Sequence, residues 1–118
     1  MYRMRKGFDA SFLVGQQLLQ VAIGVSDVIF NFDQGFRVLA TTDFDVHFDG
    51  TSKSWSCGNP DSAACVLSLI GQTVSAVQVI NEALLRIAFS TGPSVDLKDD
   101  SDEFESFTIS SPGAVLVV

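Results

Sequence analysis

The sequence predicts an α+β domain, a mostly antiparallel sheet that is strongly bent or closed partly into a barrel. It would be built from two helix-plus-four-strand repeats about a pseudo-twofold axis. Three observations carry this expectation. Leu13-Val14-Gly15-Gln16 returns as Leu69-Ile70-Gly71-Gln72 fifty-six positions later. Val28, Phe30, Phe32 and Gly35 then match Leu85, Ile87, Phe89 and Gly92 at an offset larger by one, and the extra residue falls in a turn, where insertion is tolerated. Apolar residues alternate with polar ones through most of the chain, the period of a half-buried strand. The expected organisation is a single domain, 1–118, with repeat 1 at 8–49, a linker at 50–60 and repeat 2 at 61–118. Two packed sheets are the second arrangement that fits.

Taken in order, Asp9 and Gly15 bracket a short helix. Leu19, Val21 and Ile23 alternate as a first strand, and Val28, Phe30 and Phe32 as a second, with Asp27, Asn31 and Asp33 on the opposite face. Asp33-Gln34-Gly35 turns the chain into a third strand at Phe36 to Thr41. Asp43 to Asp49 alternates strictly as a fourth, with Phe44, Val46 and Phe48 on its apolar side. Gly50 to Asn59 is rich in Ser and Gly and reads as the linker. In the second half, Asp61 can cap a helix over Ser62 to Ile70, stopped by Gly71 in the left-handed region. Val77 and Val79, Leu85 to Phe89, and Ser94 to Leu97 repeat the first three strands, with Ser90-Thr91-Gly92 as the turn. Phe104 to Ile109 is the rough counterpart of the fourth. Ser110 to Gly113 turns into a last strand, Ala114 to Val118, that has no equivalent in the first half.

Composition limits the function classes. Of 118 residues 47% are apolar, ten are phenylalanine, and only 18% are charged. Such a chain can fill a core, and a charge content below the usual quarter points to surface that meets another chain. The net charge is −7, with Arg3, Arg5 and Lys6 at the start and the remaining four positive side chains facing fourteen negative ones. An acidic body repels phosphate, so nucleic acid is not an expected partner. The apolar run at Phe12 to Gly15 is too short for a secretion signal and no stretch reaches the length of a membrane helix, so a cytoplasmic location without membrane contact is expected. Cys57 and Cys65 are spaced too far apart for a Cys-x-x-Cys pair, and free thiols are expected.

Leu69, Gly71, Phe89, Gly92, Glu105, Ser106 and Phe107 form a Leu-x-Gly … Phe-x-x-Gly … acidic loop … Glu-Ser-aromatic pattern. In this the second half resembles an uncharacterised family of small bacterial accessory proteins, of orphan, immunity-like or mobile-gene-cassette type. The usual aromatic there is Trp or Tyr, so Phe107 departs from the pattern. The resemblance implies a similar fold and assigns no catalytic residue.

Candidate chemistry lies on the polar side of the fourth strand. His47 with Asp45 or Asp49 could hold a divalent metal, or His47 could act as a base oriented by Asp45. The plainer reading is a charged face that keeps an edge strand from pairing with strangers. The run Asp96, Asp99, Asp100, Asp102, Glu103, Glu105 would attract calcium or a basic partner, but it lacks the spacing of an EF-hand loop. Cys57 is a nucleophile only if His47 lies beside it. Trp55 is either buried or presented as a contact, and Phe36, Phe44 and Phe48 either fill the core or line an apolar pocket. Val115 and Val117 belong to a segment that aggregates unless it is central in the sheet or paired with another subunit.

The functional expectation is a non-enzymatic protein-interaction or accessory module that forms a homodimer. It uses no cofactor, and its contact surfaces are the last strand and the Trp55 loop. The alternative is a small-molecule-binding barrel with an aromatic pocket. The third reading is a metal-dependent or hydrolytic enzyme using His47 and Asp45.

Overall fold

Side chains that alternate in the sequence alternate in burial from Val28 to Phe32 and from Leu85 to Phe89, but not at Leu19, Val21 and Ile23, where Leu19 and Ile23 are exposed and Leu18 is buried instead. In a computed structural model of the chain, the described residues are 11–56, 58–81, 84–98, 107–111 and 114–117. They form ten strands: β1 Leu18–Ile23, β2 Val28–Phe32, β3 Arg37–Ala40, β4 Phe44–Phe48, β5 Thr51–Trp55, β6 Val74–Asn81, β7 Leu84–Phe89, β8 Ser94–Lys98, β9 Phe107–Ser111 and β10 Ala114–Val117. Val28, Phe30 and Phe32 of β2 are buried, as are Leu85, Ile87 and Phe89 of β7, with half-buried residues between them. This is the two-residue period of strands with one face on a core.

The expected bent or barrel-like α+β sheet is not what forms. The fold is mainly β, in two five-stranded sheets that do not close into a barrel. One has the order β1-β2-β3-β9-β10 and the other β5-β4-β8-β7-β6. Among the described residues every ladder is antiparallel. Buried residues of both sheets belong to one core, and Phe30 of β2 meets Phe44 of β4 edge-on, with ring centres 5.6 Å apart.

Nor are the units helix-plus-four-strand repeats. The β4–β5 hairpin leaves β3 and pairs with β8, while the β9–β10 hairpin pairs with β3. Each sheet therefore takes three consecutive strands from one half and a hairpin from the other. The stretch expected as a linker supplies β5, and β5 occupies in its sheet the place that β10 has in the other. Thr51-Ser52-Lys53-Ser54 lacks alternation because an edge strand exposes polar side chains on both faces, so it reads as a loop.

The two expected helices are corrected as well. Ser11–Leu13 is a single 3-10 turn, and Asp9 lies outside the described residues. Pro60–Leu69 is a 3-10 segment with no side-chain cap, so Asp61 does not serve as one. Its buried residues are Ala63, Val66 and Leu69, whereas Leu67 and Ile70 are exposed. A three-residue spacing lines up on one side of a helix with three residues per turn, and an α-helix would smear it around the barrel of the helix.

The sheets meet where β1 and β6 begin. Gly15 N donates to Val74 O at 2.9 Å and Gly71 N to Leu18 O at 2.7 Å; Leu18 N donates to Gln72 O and Val74 N to Gln16 O, both at 2.9 Å. Gln17 and Thr73 form the bridge at the centre of these bonds. Every one of them maps onto its partner by a shift of fifty-six residues. Gly15 and Gly71 hold φ of +89° and +92°, a conformation costly for any residue with a Cβ, and this lets the chain enter each first strand from its 3-10 segment.

Candidate functional site

The antiparallel register sets side chains of neighbouring strands side by side, and on the outer face of the second sheet it assembles a polar array. Asp96 of β8 stands opposite Arg86 of β7 on one side and Asp45 of β4 on the other, and Asp45 stands opposite Ser54 of β5. His47, two residues along β4, faces Ser52. All share one face because each is an even number of residues from its neighbour in the strand.

Arg86 grips Asp96 with two bonds, Nε to Oδ1 at 2.7 Å and Nη2 to Oδ2 at 2.9 Å. His47 Nε2 lies 2.9 Å from Asp96 Oδ2, and His47 Nδ1 lies 2.7 Å from Ser52 Oγ. Beside this chain, Ser54 donates to Asp45 at 2.6 Å and Lys98 Nζ reaches Asp45 at 3.0 Å. The Asp96 side chain is 6% exposed although it projects outward, while His47 and Arg86 above it are 36% and 38% exposed. The carboxylate is thus sheltered by its own partners.

Burial alone would raise the Asp96 carboxyl, but the hydrogen bonds and positive charge of Arg86, then those of His47, outweigh it and hold the group below the ordinary aspartate range. Asp45 behaves alike: burial raises it, and Ser54, Lys98 and the charge of His47 bring it below that range. An ionised Asp96 can only accept, so His47 Nε2 must carry the proton. Whenever the ring is neutral, Nδ1 is then an acceptor, and the Ser52 hydroxyl donates to it.

The other sheet offers a control. Its corresponding outer row runs Ile29 and Leu39 in register, without a charge. A sheet of this construction therefore forms without the array, and the charged row is peculiar to one of the two sheets.

The expected site residues fall as follows. His47 and Asp45 are both on this face, but His47 bonds to Asp96 and Ser52 and not to Asp45. Asp49 lies past the end of β4, exposed in the turn to β5. Among the described residues no three His, Cys, Asp or Glu side chains converge to hold a metal ion. Cys57 lies outside the described residues, and so do Asp99, Asp100, Asp102, Glu103 and Glu105. Trp55 is wholly buried, stacked on Phe44 at 5.2 Å, so it is core and not a displayed contact. Phe44 is buried too, and Phe36 and Phe48 pack half-buried against the same core. Val115 and Val117 lie on β10, at the edge of the first sheet.

Comparison with protein-family models, with curated proteins and with solved structures finds no match. The likeness to small bacterial accessory proteins stays a sequence pattern, part of which, Glu105 and Ser106, lies outside the described residues. Among the described residues no helix is long and apolar enough to cross a membrane.

Sequence reading missed Ser52, Arg86 and Lys98. Ser52 falls in the stretch that reads as a linker, and Arg86 and Lys98 are single charges in strands with no local motif. Recognising them requires knowing that β4 lies between β5 and β8. The one available signal was the polar side of each strand, at Asp45, His47, Arg86, Asp96 and Lys98.

Proposed function

We propose that the protein is an interaction module that self-associates by pairing β10 of one copy with β10 of a second copy across a twofold axis. The observation that carries this reading is the contrast between two edge strands that hold the same place in the two sheets. β5, Thr51–Trp55, exposes Ser52, Lys53 and Ser54, the hydroxyls and charge that discourage a foreign strand. β10, Ala114–Val117, reads Ala-Val-Leu-Val, with no charge and no hydroxyl, and pairs only with β9 among the described residues. An open row of backbone donors and acceptors on a wholly apolar strand is a template for a like strand. Low charge content agrees with a surface that is covered in use.

Light scattering at micromolar concentration tests the reading. A dimer is expected, and replacing Val115 and Val117 together by Lys should give a monomer whose melting temperature, read at the same concentration, drops by no more than the lost association explains. A wild-type chain that stays monomeric throughout the micromolar range overturns it.

A further inference from the structure

We propose that Ser52 is a nucleophile for acyl transfer, with His47 as its general base and Asp96 and Arg86 as positioning residues. The inference is independent of self-association, which uses the other sheet. Four linked groups carry it. Ser52 is exposed, and its Oγ is 2.7 Å from His47 Nδ1. His47 Nε2 is 2.9 Å from Asp96 Oδ2, and Arg86 fixes that carboxylate through two bonds. Nucleophile, base, orienting acid and a clamp on the acid thus follow one another within hydrogen-bond reach, the arrangement that activates a hydroxyl. The ring is used in the opposite sense from serine proteases, with Nδ1 rather than Nε2 on the serine, and a proton acceptor at either nitrogen serves.

The array is not explained by folding alone, because the sister sheet carries Ile29 and Leu39 where Arg86 and Asp96 stand. Ser54 supplies an internal comparison. It is exposed on the same strand and the same face, but its hydroxyl is bonded to Asp45 and has no imidazole.

The step balances as follows. Ser52 Oγ attacks the carbonyl carbon of a carboxylic ester, and its proton passes to His47 Nδ1. The new C–O bond forms while the ester's own C–O bond breaks, and the leaving alcohol takes the proton from His47. Water then repeats the sequence on the acyl-serine and releases the acid. β5 is an edge strand, so backbone N–H groups on its open side have no neighbouring strand among the described residues and are the donors near Ser52 that a developing oxyanion can use. The open sheet face suits small activated esters.

The test is labelling of the native chain with an alkyl fluorophosphonate, in which serine displaces fluoride from phosphorus, read by peptide mass spectrometry. Ser52 should be modified at least about a hundredfold faster than Ser54, and His47→Ala should bring Ser52 down to the Ser54 rate, a loss of the size general-base assistance supplies. Asp96→Asn places a donor against Nε2, moves the ring proton to Nδ1, and should slow Ser52 labelling about a hundredfold. The wild-type rate should also rise with pH through the range in which an imidazole loses its proton. The charged groups around His47 are Asp96 and Lys98 on β8, Arg86 on β7 and Asp45 on β4, and a purely structural role for Asp96 would leave that profile in place. Where a variant fails to fold, the wild-type ratio of Ser52 to Ser54 decides. Equal labelling of the two serines, or a rate indifferent to pH, overturns the proposal.

Discussion

Asp45 and Asp96 stand directly opposite each other on β4 and β8, two carboxylates in register on one face of a sheet. Facing like charges destabilise a strand pair, so each must be compensated from elsewhere. The compensation is lateral and diagonal. Asp96 is held by Arg86 across β7 and by His47 one pair along, and Asp45 by Ser54 across β5 and by Lys98 one pair along. The array is thus a set of charges arranged so that neither carboxylate is left alone.

Removing one cation should expose this balance. Arg86→Gln leaves the sheltered Asp96 with a single partner and should cost about 1.5–2 kcal/mol, the low end of the range for hydrogen bonds to charged groups. Arg86→Gln with Asp96→Asn should cost less than the two single changes added together, because the second removes the charge that the first stranded. Urea unfolding of the four proteins measures the coupling, and simple additivity would contradict it.

Acid should weaken the fold through the same pair. Both carboxyls sit below the ordinary aspartate value of about 3.9 in the folded protein and near it in the unfolded chain. The folded state therefore holds these protons less tightly, and the stability they contribute is complete above the unfolded value and lost as pH falls through the folded values. Melting temperature should accordingly decline below about pH 4–5, after a plateau at neutral pH. The decline should be shallower in Asp45→Asn/Asp96→Asn, measured by thermal unfolding in matched buffers; an unchanged slope would assign acid sensitivity to other groups.

The junction of the two sheets gives a prediction with its own control. A Cβ added at Gly15 or Gly71 meets nothing within 4 Å, so only backbone conformation opposes a side chain there. Gly15→Ala and Gly71→Ala should each cost about 1–2 kcal/mol, the penalty of the left-handed region for an L-residue. The two costs should be similar, since the two residues make equivalent bonds, to Val74 O and Leu18 O. Chemical denaturation checks both, and a large inequality would show that the two junctions bear different loads.

By itself the sequence determined what is local. Period-two alternation assigned the buried faces of β2, β4 and β7, and Phe32 and Phe89, matched across the two halves, are both buried; it misplaced β1, where Leu18 is buried and Leu19 and Ile23 are exposed, and Val79 of β6, which is exposed too. Glycine at positions 15 and 71 marked the points where φ turns positive. Tertiary structure alone decided which strands became neighbours. Alternation says which face of a strand is wet and nothing about its partner, so the crossing of β4–β5 to β8 and of β9–β10 to β3 left no trace in the pattern. The same holds for β5, whose polar residues become a strand only because β4 is there to pair with, and for the 3-10 segment, whose three-residue turn matches the spacing of Ala63, Val66 and Leu69 against the core. The array of Ser52, His47, Asp96 and Arg86 joins residues from four strands and up to 44 positions beyond Ser52. Its geometry exists only once those strands lie side by side, because hydrogen bonds between side chains are fixed by register across the sheet and not by order along the chain.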